Sequence, residues 1–313
     1  NCLDEFYRRP IHAASYSPWT VMHRLLPYGV DAQLIVGERK VNSIGWLCWN
    51  QPARGQRLLH TSRTHVHASI GVGAQGHPAQ FLAVLAQSRV PATYGIKASG
   101  REFTIGDLVK TEMLACEAGT ELTFSLIGLS HYLDSDSQWK NEQGEDWNIP
   151  RLIREELAQP INGVTCGGTH RMMSFAYAVS KRERRGEPVS GEWKRAQKYV
   201  QDYHEYTFAL QNPNGSFSTN YFTSRGDSRD FDRYLETTGH MLEFLAFSLP
   251  EDQLQSPEMV KAVDFLSALI LNHSDRRWEN GPLGHALHAL AIYDFRAFGT
   301  PPGHRSARVA RSQ

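Results

Sequence analysis

Apolar positions along the chain fall into two regimes that meet near Gly76. From there on, hydrophobic residues recur at three- and four-residue spacing, as helices that bury one face require. The stretch 191–211 shows this well, with Trp193, Ala196, Tyr199, Val200, Tyr203, Tyr206 and Leu210 on one face. The same spacing predicts helices over 105–117, 121–133, 149–158, 170–184, 240–249, 257–272 and 285–298, and an earlier one around Phe81, Leu82, Val84 and Leu85. Some of these runs are small and apolar nearly all round (Ser174, Phe175, Ala176, Ala178), and their neighbours are longer and amphipathic. That is the expected difference between an inner, buried helix and an outer, half-solvated one. A hairpin over 94–103, turning at Ser99-Gly100, interrupts the helices.

Before Gly76 the pattern is mixed. Ser17 followed by Pro18 is a helix start, serine as N-cap and proline at the first helical position, and Gly29 ends that helix. The runs 32–36 and 41–49 flank Gly37-Glu38-Arg39 and read as a β-hairpin, and 58–70 reads as a further strand.

A Gly-His signature punctuates the helical part: Gly76-His77, Gly168-Thr169-His170, Gly239-His240 and Gly284-His285, with Gly119-Thr120-Glu121 a copy that carries a carboxylate instead. Each copy precedes an apolar helical run, so the signature is expected to mark inner helix starts and to bring equivalent ends to one rim. Counting the helix at Trp19 gives six inner helices. The expected fold is therefore mainly α, an α/α toroid over 76–299, with a β-hairpin-containing elaboration over 1–75 and a tail over 300–313.

The segment Gln211-Asn212-Pro213-Asn214-Gly215-Ser216-Phe217 resembles the Q-x-x-D/N-G-S-W/F turn of the squalene-cyclase and protein-prenyltransferase superfamily. The resemblance implies an α/α toroid in which the glutamine caps a helix end and the aromatic ring packs between hairpins. The whole chain also looks like a group of bacterial toroid proteins, which brings no activity with it. The superfamily's chemistry does not carry over. Asp134-Ser135-Asp136 lacks the last pair of a D-x-D-D acid motif, and no cysteine follows Cys166 to complete a prenyltransferase zinc set.

Composition narrows the function. Thirty-three basic and 33 acidic residues cancel, so no global field favours nucleic acid. No apolar run approaches the roughly 20 residues of a membrane span. The start at Asn1 fits a processed, exported protein (periplasmic or extracellular) as well as a trimmed chain.

The candidate catalytic residues are His170, His240 and His285, with Glu236 as the nearby carboxylate. A histidine in a helix's first turn stays neutral and so available as base or ligand. The competing reading makes each a cap on loop carbonyls. Cys166 lies four residues before His170, and three readings compete for Cys116 and Cys166: a disulfide between repeats, a metal site with His170 for which zinc is the apt ion, or a Cys166/His170 nucleophile pair. No metal set is assigned from sequence. His60, His65 and His67 carry only a weak metal signal. Gly71-Val72-Gly73-Ala74-Gln75-Gly76 matches G-x-G-x-x-G but lacks the acidic residue about 20 positions on, so no nucleotide cofactor is expected.

The function expected first is a carbohydrate-active lyase or hydrolase, with a polysaccharide or other ligand in the toroid mouth and Trp139, Trp147, Tyr221, Phe222 and Trp278 as stacking platforms. A scaffold that presents its rim to a protein partner, and a metal-dependent cyclase or transferase, are the alternatives.

Overall fold

The computed structural model describes residues 2–299 and is mainly helical, 52% helix against 12% strand. The N-terminal part holds α1 (Cys2–Tyr7), α2 (Pro18–Leu25), the hairpin of β1 (Gln33–Val36) and β2 (Arg39–Asn42), α3 (Ser43–Cys48), and the hairpin of β3 (Leu59–Ser62) and β4 (His65–Ala68). Next come α4 (Gln80–Gln87), the hairpin of β5 (Gly95–Ala98) and β6 (Arg101–Thr104), α5 (Ile105–Leu114), α6 (Thr123–Tyr132), the hairpin of β7 (Gln138–Lys140) and β8 (Asp146–Asn148), and α7 (Ile149–Leu157). The chain continues through α8 (Thr169–Arg184), α9 (Gly191–Ala209), α10 (Phe231–Ser248), α11 (Pro257–Asn272) and α12 (Asn280–Phe298). The expected tail, 300–313, lies outside the described residues.

Local chemistry sets most of the boundaries. Ser17 caps α2 as its sequence position suggests, and Asn148 caps α7 by accepting from the Arg151 amide at 2.8 Å. The run 41–49 does not stay extended: the Asn42 side chain accepts from the Gly45 amide at 2.8 Å and starts α3. The run 58–70 is two strands, not one, because the chain turns back at Arg63 with φ of 54°. The strands β7 and β8 have only three residues each, too few to show alternation, and they meet through the buried Trp139–Trp147 pair.

Helices pack in succession. α4 lies against α6, α6 against α8, α8 against α10, α10 against α12, and α12 against α2. α5 and α7 cover α6, α9 covers α8, and α11 covers α10. α6 is buried on every side from Thr123 to Ser130, whereas α9 buries one stripe of Trp193, Ala196, Val200, His204 and Thr207. The buried Glu156 locks three helices together: it accepts from the Leu122 amide at 2.8 Å, from Thr123 Oγ1 at 2.6 Å and from Arg171 Nε at 2.9 Å. In the turn after α9, Gln211 Nε2 donates to the Glu258 carbonyl in the first turn of α11 at 2.9 Å, and Phe217 is fully buried.

Every sheet among the described residues is a separate two-stranded hairpin. The glycine-rich stretch 71–76 thus has no parallel sheet to serve, and it closes on itself through Gly71 N–H donating to the Gln75 carbonyl at 2.9 Å. No described helix is long and apolar enough to cross a membrane.

Candidate metal centre

The chain before α8 is bent through three successive left-handed residues. Cys166, Gly167 and Gly168 have φ of 52°, 60° and 83° in succession. A Cβ on Gly167 would fall 2.2 Å from the Tyr221 ring, and one on Gly168 would fall 2.6 Å from the Ile161 side chain. Both positions therefore require glycine, for backbone and for space. The bend is fixed by Thr169 Oγ1 donating to the Cys166 carbonyl at 2.8 Å, and it sets the thiol beside His170 in the first turn of α8.

The other histidines arrive on close-packed helices. Here one expectation is corrected: Gly239-His240 and Gly284-His285 are not helix starts. α10 begins at Phe231, capped by Asp230, and α12 begins at Asn280. Their glycines let backbones approach. A Cβ on Gly239 would lie 2.9 Å from the Ala286 Cβ and 3.2 Å from its amide nitrogen, and one on Gly284 would lie 2.4 Å from the His23 carbonyl oxygen. Only Gly168-Thr169-His170 sits at a helix start, with Gly76-His77 in the loop before α4.

These approaches gather five imidazoles. Ring centroids are 4.2 Å apart for His240 and His285, 4.9 Å for His170 and His285, 5.3 Å for His170 and His240, 5.4 Å for His23 and His285, and 5.7 Å for His77 and His170. A ligand atom from each of Cys166, His170 and His240 falls within 4.8 Å of the other two, the one such group of three or more among the described residues.

Second partners fix the ring orientations. His240 Nδ1 donates to the Glu236 carbonyl at 2.7 Å, and His23 Nδ1 to the Trp19 carbonyl at 2.7 Å. His77 Nδ1 donates to the Glu121 carboxylate at 2.9 Å, and His285 Nδ1 to Glu243 Oε2 at 2.9 Å. The other Glu243 oxygen accepts from His288 Nδ1 at 2.5 Å. With Nδ1 carrying the proton, Nε2 of His240 presents a lone pair. That atom is buried without a hydrogen-bond partner, as are both ring nitrogens of His170. Backbone carbonyls and carboxylates holding Nδ1–H while Nε2 stays open is the arrangement that surrounds metal-ligating histidines.

Burial, followed by the neighbouring imidazoles, keeps His170 neutral, well below its ordinary value, and pushes His23 down to about 3. Burial lowers His240 and His285 as well. For Glu243, burial works against ionisation, but His285 and His288 outweigh it and hold the carboxyl well below the carboxylate range. The thiol of Cys166 is pushed up to about 12 by burial, then by Glu236, Glu243 and Glu121. A neutral thiol beside a neutral imidazole is a poor nucleophile pair. A divalent cation reverses that balance, because it favours the thiolate it coordinates.

The remaining candidates separate clearly. Glu236 points elsewhere: its carboxylate takes Arg233 Nη1 at 2.9 Å and Tyr221 Oη at 3.2 Å, and only its carbonyl serves His240. Cys116 is not in the group; it lies just past α5, and its thiol donates to the Glu112 carbonyl in that helix's last turn at 3.3 Å. All four cysteines are free thiols, which removes the Cys116–Cys166 disulfide. His60 and His67 stack across the β3–β4 hairpin at 5.5 Å, away from the centre. Trp139, Trp147, Tyr221, Phe222 and Trp278 are all buried, so none is a sugar platform.

Glu243, His288 and His23 are functional candidates the repeat signature misses. Glu243 and His288 each stand three residues after a signature histidine, a spacing that shares a helix face. The carboxylate copy, Glu121, is the partner of His77. No family model, curated protein or solved structure matches the chain, so its function must be argued from this geometry.

Proposed function

We propose that the chain is a metal-dependent enzyme on an α/α toroid, with Cys166, His170 and His240 holding a zinc-type divalent ion. One observation carries the reading: His170 and His240 hold buried ring nitrogens with no partner, and one ligand atom from each ring lies within 4.8 Å of the other and of the Cys166 thiol. A buried polar atom left unpaired costs about 1–3 kcal/mol, and an ion would satisfy one such nitrogen on each ring. Two nitrogens and one sulfur suit zinc, with bonds of about 2.0–2.3 Å, and three protein ligands leave the fourth position open as catalytic zinc sites do.

The toroid is supported by the helix succession and by where the side chains meet. α2, the loop before α4, α8, α10 and α12 each contribute one imidazole to the same spot, and α6 contributes Phe124. Helices standing round a common axis produce that convergence.

The ion would supply Lewis acidity. On the open side, Cys166 is part-exposed and the Glu121 side chain is 38% exposed, while His170, His240 and His285 are closed in. His77, oriented by Glu121, is the general base on that side. Beneath the centre lies a cavity of about 20 Å³, lined by His23, Phe124, His170, Glu243 and His285 among others, enough for about one water. That cavity admits a water and no substrate, so a compact polar substrate undergoing hydrolysis or elimination would reach the ion from the open side, past Cys166 and Glu121. A stacked glycan chain has no platform there.

The reading is tested by metal content. Protein expressed in zinc-replete medium should hold one equivalent, and Cys166→Ala, His170→Ala and His240→Ala should each lose most of it while His60→Ala keeps it. A wild-type protein that carries no metal and takes up none on titration sinks the proposal.

A further inference from the structure

The opposite ends of the same helices enclose a second cavity, of about 320 Å³, with no contact to the histidine centre's open side. It lies where α2, α4, α8, α10 and α12 finish, and its size is at the low end of small-molecule sites. Its wall is apolar: Leu26, Val30, Tyr177, Phe247, Ile292 and Phe295. Val30 is 54% exposed and Phe295 45% exposed, so the rim presents large apolar side chains to water. Such residues gathered round one concavity mark a binding site more often than scattered ones do.

The charged groups of this cavity are all cationic or neutral. Arg89, Arg184 and Arg296 line it, with His288, and no carboxylate does. Arg296 is spent on helix ends, donating to the carbonyls of Ala246, Phe247 and Leu249 at 2.7 to 2.9 Å. The guanidinium groups of Arg89 and Arg184 pair with no described residue. Lys181 stands close by, its ammonium lowered by burial and then by Arg185, Arg184 and Arg89. Like charges kept together above an apolar wall, with no carboxylate in the lining, complement an anionic head on an apolar body.

We propose that this cavity binds a medium-chain carboxylate, its chain against Val30, Ile292 and Phe295 and its head between Arg89 and Arg184. The inference does not depend on the metal centre. A free carboxylic acid and a neutral alcohol of the same length separate head recognition from simple apolar capture.

The experiment is calorimetric titration of the full chain with decanoate and with decanol. Decanoate should bind one per chain and at least tenfold tighter than decanol. The exposed-site variant Arg89→Glu/Arg184→Glu should weaken decanoate at least tenfold and leave decanol unchanged, and Phe295→Ser should weaken both. Equal binding of the two ligands, no binding of decanoate at millimolar concentration, or decanoate binding unmoved by the double charge reversal would each overturn the proposal. Loss of the metal by Cys166→Ala should leave decanoate binding unchanged, so the two sites are judged separately.

Discussion

Glu243 accepts the Nδ1 proton of His285 at 2.9 Å, across the α10–α12 contact. The carboxylate sits 5% exposed and stays ionised because His285 and His288 both donate to it. It therefore sets the tautomer of a ring that lies 4.2 Å from His240, and it places negative charge behind the neutral imidazoles of the centre.

Replacing that charge with an amide should weaken the centre without unfolding the protein. Glu243→Gln keeps the shape and removes the charge. Because Glu243 bonds His285 and His288 and none of the three ligands, the loss in affinity should stay below the about 10- to 100-fold that follows when a partner of a ligating side chain is removed. Competition with a chromophoric chelator reads the change directly. An unchanged affinity would show that Glu243 acts only on helix packing.

The two signature glycines inside helices should be intolerant of a single methyl group. Gly284→Ala must push the His23 carbonyl away from 2.4 Å, and Gly239→Ala must part α10 from Ala286. Overpacking of this kind costs about 1–3 kcal/mol. Urea unfolding of the two variants measures it. Alanine is otherwise favoured over glycine in a helix by about 1 kcal/mol, so a stabilised variant would contradict the close approach.

Stability should carry an identifiable pH dependence from Glu112. Burial raises its carboxyl from 4.5 to about 7, so the folded protein holds a proton that the unfolded chain has released between those values. Stability from this group is full below pH 4.5 and falls as pH rises towards 7. Glu112→Gln removes the loss, so the variant should gain on wild type by about 3 kcal/mol between pH 4.5 and pH 8. A difference that is flat across that range would mean the side chain reaches water.

Much of the helical layout was readable from periodicity. The spans of α8, α9 and α11 follow their apolar stripes closely, and Ser17-Pro18 starts α2 where the residues say. The signature also picked out side chains that lie together, since the rings of His77, His170, His240 and His285 meet. Its meaning was misread at two places. Gly239 follows Asp232, Arg233, Glu236, Thr237 and Thr238, a polar stretch that hides the first half of α10. A glycine there looks like a loop, but its purpose is an approach to Ala286 that only tertiary packing reveals. Glu243 was illegible for a related reason. A lone carboxylate in an apolar helix reads as its solvent face, and only the neighbouring α12 supplies the two imidazoles that allow it to be buried. The small hairpin of β7 and β8, and the helix α3 hidden in a strand-like run, depend on single side chains (Trp139 against Trp147, Asn42 on Gly45) that no period records.

Cobalt substitution tests the central claim most directly, because it reports the sulfur and the nitrogens together. The metal-free chain titrated with Co(II) should take up one equivalent and show a near-ultraviolet thiolate-to-cobalt charge-transfer band with visible transitions of tetrahedral strength. Cys166→Ala should abolish the charge-transfer band, and His240→Ala should weaken binding. A cobalt complex with only the weak spectrum of an all-oxygen octahedral site, or one whose spectrum is the same in Cys166→Ala, would contradict a centre built from Cys166, His170 and His240.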